Sequence, residues 1–258
     1  MSDLFDVSSK TALVTGGSRG IGLMIARGLV EAGASVIVSS RKGADVQAAA
    51  QELATHGNCE AIEADVSTPE GARDLAAAVR ERFPTLDILV NNAGAGWGAP
   101  LEEFPASGWD KVSHTNVEGV FHLTVALLPA LRAAASAVDP ARVINIGSID
   151  GLRTPSLENY SYSASKAAVH MLTRHLAKRL ASEHITVNAI APGPFESKMT
   201  AFMLDDPESR EMVAQMVPLQ RIGQPDDVAG LTLFLCSRAG SYLTGTVIPL
   251  DGGITGCN

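Results

Sequence analysis

Cysteine is scarce in this chain of 258 residues: Cys59, Cys236 and Cys257 are scattered, odd in number and contain no CxxC pair. That argues against a disulfide framework and for free thiols in a reducing, cytoplasmic compartment. Positive charge is also short, with 20 Lys plus Arg against 28 Asp plus Glu and a net charge of -8. Such an acidic balance argues against nucleic acid as a partner, although a few local cations can still hold one phosphate. Long uncharged apolar runs are missing too. The most apolar stretch, Val117 to Val138, contains Glu118, His122, Pro129 and Arg132 and reads as a buried helix, so no membrane span is expected. The opening MSDLFDVSSK has no basic segment followed by an apolar one, so no signal peptide is expected. His56, His114, His122, His170, His175 and His184 form no ligand-spaced cluster with cysteines or carboxylates, and no metal site is expected.

What is present is a core-forming chain, with 46% hydrophobic and 19% charged residues. Short β-branched runs alternate with longer helical patterns. Strands are predicted at Ala12–Thr15, Ser35–Ser39, Cys59–Glu63, Ile88–Asn91, Val143–Gly147, Thr186–Ile190 and Thr246–Leu250. Most are continuous apolar runs, which fits a parallel sheet covered on both faces. Helices are predicted at Ile21–Ala32, Pro69–Phe83, Ser107–Ala135, Ser161–Glu183 and Pro225–Ser237. Repeated β-α units with right-handed crossovers give a doubly wound α/β sheet. Without a linker or repeat, residues 1–258 read as one domain. The segment from Phe195 to Val217 breaks the pattern: its Phe and Met residues, among them Met199, follow a strand end, where open α/β sheets bind ligands. It is expected to be a lid over an apolar substrate, or else simply core.

TALVTGGSRGIG reads strand, turn, helix, with Gly16, Gly20 and Gly22 spaced GxxxGxG. Glycines let the backbone approach a pyrophosphate, and the helix that starts there presents free N–H groups and a positive dipole end. At the end of the second strand, where an acid would accept from the ribose of NAD, Ser40 stands instead, followed by Arg41 and Lys42. With Arg19 of the glycine loop close in the same fold, this pattern suits a 2′-phosphate and favours NADP(H).

ENYSYSASK offers two tyrosines and one lysine. Tyr162 and Lys166 are four apart and share a helix face, whereas Tyr160 would point about 200° away from Tyr162. Tyr162 is therefore the candidate acid; the plain alternative is a core aromatic with a satisfied hydroxyl. A phenol ionises near about 10, and lowering that to roughly 7 takes about 4 kcal/mol, here expected from the ammonium and an oxidised nicotinamide. Ser148, closing a predicted strand in VINIGSID, can donate to a substrate oxygen; alone it could equally form a turn.

These residues and their order resemble the short-chain dehydrogenases/reductases. The matching segments are TGGSRGIG, NNAG at Asn91–Gly94, NVEG at Asn116–Gly119, NIGS ending in Ser148, YSASK at Tyr162–Lys166, and PGPFES from Pro192. The resemblance implies a Rossmann-type doubly wound sheet of seven mostly parallel strands with helices on both faces, and a tetrad of Asn116, Ser148, Tyr162 and Lys166, with Asn116 holding a proton-relay water. It implies cofactor contacts from Gly16, Ser18, Arg19, Gly20, Ile21, Gly22, Ser40 and Arg41, from Asp65 and Val66 at the adenine, and from Asn92, Ala93 and Gly94 at the ribose. Tyr162 and Lys166 also belong to that set. Pro192, Gly193, the Phe195 backbone and the Ser197 hydroxyl would meet the nicotinamide side. Within the family, VINIGSIDG, PGPFESKMT and GTVIPLDGG look most like NADPH-dependent 3-oxoacyl reductases of the rhamnolipid type. Substrate contacts are then expected from Ser148, Tyr162, Met199 and Trp97, although Trp97 could equally be a packing residue. Such enzymes are commonly homotetramers. The implied reaction is reduction of a small-molecule ketone. Oxidation of an alcohol, steroid or sugar and a non-catalytic NADP(H)-binding sensor are the alternatives.

Overall fold

Successive residues of a strand face opposite sides of a sheet, and here both sides are dry. The computed structural model describes residues 4–198 and 200–257. In it β1 (Thr11–Thr15), β2 (Ser35–Ser40), β3 (Cys59–Glu63), β4 (Ile88–Asn91), β5 (Ala141–Ile146), β6 (Ile185–Pro192) and β7 (Val247–Leu250) form one sheet in the order β3-β2-β1-β4-β5-β6-β7. Every neighbouring pair is parallel, so the expected doubly wound sheet holds. Ala12, Val14, Val36, Val38, Ile88 and Val90 enter one core. The residues between them, Leu13, Ile37 and Leu89, enter the other. Continuous apolar strands are what two covered faces require. Pro249 is tolerated because β7 is an edge strand.

The first core is closed by α1 (Gly20–Glu31), α2 (Gly43–Leu53) and the later helix Pro225–Cys236, through Ile25, Leu29, Val46, Leu53, Val228 and Leu235. The second is closed by α3 (Pro69–Arg82) and by helices at Gly119–Ala134 and Tyr160–Leu180, through Leu75, Val79, Leu123, Leu127 and Ala177. Helix α2 is additional to those predicted. The long helix predicted over Ser107–Ala135 is in fact α4 (Ala106–Ser113), a π turn at His114–Glu118 and α5 (Gly119–Ala134). Periodicity does not show such a bulge, because a single π turn is too short for apolar spacing to distinguish it from an α turn. The run 106–134 is long and apolar enough to cross a membrane by length and composition, but Leu123, Leu127, Ala130 and Leu131 bury it in the second core. The remaining helices are α6 (Tyr160–Leu180), α7 (Ala201–Leu204), α8 (Pro207–Gln215) and α9 (Pro225–Cys236).

A buried polar ladder fixes α5 and α6 beneath the carboxyl edge of the sheet. Asn91 of β4 donates to Thr124 of α5 at 3.1 Å and to Asn145 of β5 at 2.9 Å; Asn145 donates to Thr173 of α6 at 2.9 Å. At the opposite edge Arg142 is fully buried and donates to the Leu235 and Ser237 carbonyls at 3.2 and 2.9 Å. Its Nη2 also reaches Asp139 at 3.0 Å. These carbonyls close the C-terminus of α9, so the guanidinium works as its cap. Arg142→Met would strip the Leu235 carbonyl of this donor and leave the Ser237 carbonyl with the Gly240 amide alone, at 3.2 Å; it is expected to cost about 2 kcal/mol, read from urea unfolding as a lower midpoint at unchanged m-value.

Candidate active site

The strand order reverses between β1 and β4, so their carboxyl ends part and leave a crevice. The glycine loop fills one wall of it. Gly16 leaves β1 with φ +64°, and a Cβ there would sit 2.7 Å from Asn92 Nδ2 and 3.0 Å from Ala93 Cα. At Gly22 a Cβ would overlap Asn92 Nδ2 and the Gly16 carbonyl. Asn92 Nδ2 in turn donates to the Thr15 and Gly16 carbonyls at 2.9 and 3.2 Å, and Thr15 Oγ1 accepts from the Asn92 and Ala93 amides. Loop and β4 end are thus one rigid unit. Arg19 takes the N-cap of α1 in extended conformation without a side-chain bond, and the first turn, with Gly20, Ile21 and Gly22, carries no acid. The Ser18–Gly22 backbone is therefore a cradle shaped and polarised for a phosphate group, and a dinucleotide fits it.

At the adenosine end Ser40 closes β2 and Arg41 and Lys42 are exposed. No ion pair engages Arg41 among the described residues. Glu63 lies opposite Ser40 in the sheet register, and its carboxylate turns against Gly43. Asp65 is exposed and accepts from the Ser67 amide at 3.0 Å, while Val66 is buried in the second core. The α-carbon of Gly94 faces both Asn116 and Lys166: a Cβ there would lie 3.6 Å from Asn116 Oδ1 and 3.9 Å from Lys166 Nζ.

Four predicted catalytic residues come together from three elements. The π turn aims Asn116 inward: its Nδ2 donates to the Ala95 carbonyl at 3.0 Å and to Ser165 Oγ at 2.9 Å, and its Oδ1 accepts from the Ala95 amide at 2.7 Å. Ser148 caps a 3-10 turn at Ile149–Gly151, accepting from the Asp150 amide at 3.1 Å. Tyr162 and Lys166 stand one turn apart on α6, with Lys166 Nζ 5.5 Å from the phenol ring centroid. The ammonium donates to the Ile146 carbonyl at the end of β5 at 2.8 Å. Tyr160 points elsewhere, as its register predicts: it donates to Glu158 at 3.1 Å and stacks edge-on against Phe104.

In the chain alone, without the nicotinamide that the expected acidification also requires, burial governs both groups. Burial pushes the Tyr162 phenol up to about 12; a hydrogen bond with Ser148 pulls it down, and the charge of Asp150 raises it further. Burial pushes Lys166 down to about 8. Removal from water is the leading cause of both shifts, since it disfavours the charged form of each group. In the chain by itself Tyr162 is therefore a protonated donor at neutral pH, which is the form needed to give a proton to a ketone oxygen.

The remaining predictions divide. Pro192 ends β6, and the Gly193 amide donates to the Leu250 carbonyl at 2.9 Å. Ser197 reaches the glycine loop, since a Cβ on Gly20 would sit 3.1 Å from its own Cβ. Thr200, unnoticed in the sequence, holds this corner by donating to the Phe195 carbonyl at 2.7 Å and bonding Ser197 Oγ at 3.0 Å. The Phe195 ring is core, packed on Gly223. Trp97 is half-buried: its indole lies on Gly108, whose missing Cβ makes the room, and Lys111 Nζ sits 5.2 Å from the ring centroid. Met199 lies outside the described residues. No group of three or more His, Cys, Asp or Glu among the described residues could hold a metal.

Comparison with known proteins gives a consistent result. A family model described as enoyl-(acyl carrier protein) reductase matches residues 16–255. The rhamnolipids biosynthesis 3-oxoacyl-[acyl-carrier-protein] reductase of Pseudomonas aeruginosa is 51% identical over 253 residues, 98% of this chain and 99% of that protein. Gluconate 5-dehydrogenase of Gluconobacter oxydans is 36% identical over 98% of this chain and 97% of its own. Among solved structures, the Pseudomonas aeruginosa RhlG/NADP active-site complex superposes with a TM-score of 0.96 at 50% identity, covering 99% of this chain and 100% of that one. A gluconate 5-dehydrogenase from Burkholderia cenocepacia in complex with NADP and tartrate gives 0.90 at 32% identity, covering 98% of each chain.

The glycine cradle is testable without turnover. Gly22→Ala drives a methyl into Asn92 and the Gly16 carbonyl. It is expected to cost roughly 1–3 kcal/mol of stability and to weaken dinucleotide binding at least tenfold (our order-of-magnitude expectation from a displaced loop), read by urea unfolding and by fluorescence titration.

Proposed function

The chain belongs to the short-chain dehydrogenase/reductase family and is an oxidoreductase, and from that premise we propose that it uses NADP(H) to reduce a ketone, of the 3-oxoacyl type, to a secondary alcohol. The observation that carries this reading is the protonated Tyr162 phenol, hydrogen-bonded with Ser148 and backed by Lys166, at the crevice that the glycine loop borders.

Bound NADPH supplies hydride to the carbonyl carbon. The chain's own residues do the rest. Ser148 donates a hydrogen bond to the substrate oxygen and fixes its place. Tyr162 gives that oxygen its proton as negative charge builds there. The phenolate left behind is stabilised by the Lys166 ammonium, which the Ile146 carbonyl holds in place. Asn116 is clamped by Ala95 and Ser165, and the family resemblance gives it the role of holding a relay water beside the lysine. Oxidation of an alcohol is the same chemistry reversed.

The cofactor choice is supported by exposed Arg41 and Lys42 beside Ser40, where no acid stands at the strand end. Relatives and neighbours include NADP complexes. An apolar carbonyl is supported by exposed Leu152, Leu157, Met212 and Met216, which flank the Ser148 turn, the tyrosine helix and the 195–217 segment. We assign that segment as the lid: α7 and α8 lie outside the sheet layers, and Arg210 of α8 pairs with Glu196 at 3.0 Å. A homotetramer is supported by exposed Phe121 and Val125, one turn apart on α5, and Met171 on α6. Three free cysteines suit the cytoplasm.

Tyr162→Phe is expected to lower turnover of a 3-oxoacyl thioester by about 10²-fold or more with NADPH binding retained; wild-type turnover in this variant would end the mechanism. Arg41→Ala is expected to weaken NADPH by about tenfold and to leave NADH nearly unchanged, read by titrating both nucleotides; equal losses would overturn the cofactor choice.

A further inference from the structure

One buried titratable side chain has no task in this mechanism. His170 sits on α6 one turn beyond Lys166 and two beyond Tyr162, so the three share a face. It is 3% exposed, and neither ring nitrogen has a hydrogen-bond partner. The Gly151 backbone lies close enough to favour a protonated ring without closing a bond. Burial, with the charges of Lys166 and Arg174, outweighs it and pushes the imidazole down to about 4. The ring is neutral under any ordinary assay condition.

Its position is what matters. A Cβ on Gly147 would overlap His170 Nε2, and one on Gly151 would lie 2.8 Å from Cε1. The same Cβ on Gly151 would also meet the α6 backbone, 2.7 Å from Ala167 N. Neither glycine has a left-handed φ, so the backbone itself does not demand glycine at either place; the space taken by the ring and the helix does. These two glycines bracket Ser148, whose hydroxyl both accepts from the Asp150 amide and meets Tyr162. A leucine would fill the same space without desolvating two nitrogens, but it is not flat, and a planar ring can lie against both glycines at once.

We propose that His170 is the positioning residue of the Ser148 turn: its ring, wedged against Gly147 and Gly151, sets where the Ser148 hydroxyl stands relative to Tyr162. The inference rests on the reading of Ser148 and Tyr162 as the groups that meet the substrate oxygen. Its test does not depend on turnover alone.

In His170→Ala, hydrogen exchange of the Asp150 amide, held by Ser148 Oγ, should speed up at least tenfold while the core strands stay protected (an order-of-magnitude expectation for local opening). kcat should fall about tenfold with NADPH binding within about twofold. His170→Asn, flat and polar, should recover most of both. Gly147→Ala should be far less damaging in the His170→Ala background than alone, because the overlap is gone. Unchanged exchange at Asp150 in both His170 variants overturns the proposal. So does Gly147→Ala doing equal harm in both backgrounds, or a kcat loss matched by an equal loss of NADPH affinity. If alanine prevents folding, exchange in His170→Asn compared with His170→Leu decides: the asparagine must be the quieter. If the wild type reduces no ketone, the functional reading falls while the exchange result still judges His170.

Discussion

A tyrosine and a lysine taken out of water one helical turn apart are the constraint around which this molecule is arranged. Burial alone makes both neutral forms more favourable, raising the phenol and lowering the amine. Holding them there requires a carbonyl for the ammonium, a donor for the phenol, and a helix that cannot shift. Ile146 at the end of β5 provides the first, Ser148 just beyond it the second, and the Asn91–Asn145–Thr173 ladder the third. Each lies at or near the carboxyl edge of the central strands, where a parallel sheet opens its crevice.

The same edge explains why so many distant residues converge. Gly16, Ser40, Asp65, Asn92, Ser148 and Phe195 each follow the carboxyl end of a different strand. A parallel sheet sends all of those ends the same way, so sequence separation of well over a hundred residues becomes proximity. Rigidity then comes from contacts in which a side chain is absent: Gly22 admits Asn92, Gly147 admits His170, and Gly108 admits Trp97. The glycines matter here for close approach more than for turning, apart from Gly16 and Gly20, whose φ values are left-handed.

A neutral phenol is the form that serves ketone reduction, and the phenolate is the form that serves the reverse reaction. With the proton on Tyr162, the site is set to protonate a carbonyl oxygen, and the buried ammonium waits as the counter-charge for the phenolate that results. The reverse reaction needs the phenolate first, which the chain by itself disfavours. Further positive charge near the ring is what would shift that balance.

The chain's own sequence determined the alternation of strands and helices, the glycine cradle, the basic pair after β2 and the choice of Tyr162 over Tyr160, because each is a local pattern of spacing and residue type. Helix register settled the tyrosines: Tyr160 goes to Glu158 and Phe104, and Tyr162 goes to Ser148. What only the tertiary structure decided is where side chains meet across elements and how dry the meeting place is. A single π turn is too short to be told from an α turn by apolar spacing, and the places of the Trp97 and Phe195 rings depend on the room that Gly108 and Gly223 leave for them. In the chain alone burial raises the phenol, because desolvation depends on the whole surrounding fold; the acidification expected from the ammonium together with an oxidised nicotinamide belongs to the cofactor-bound site.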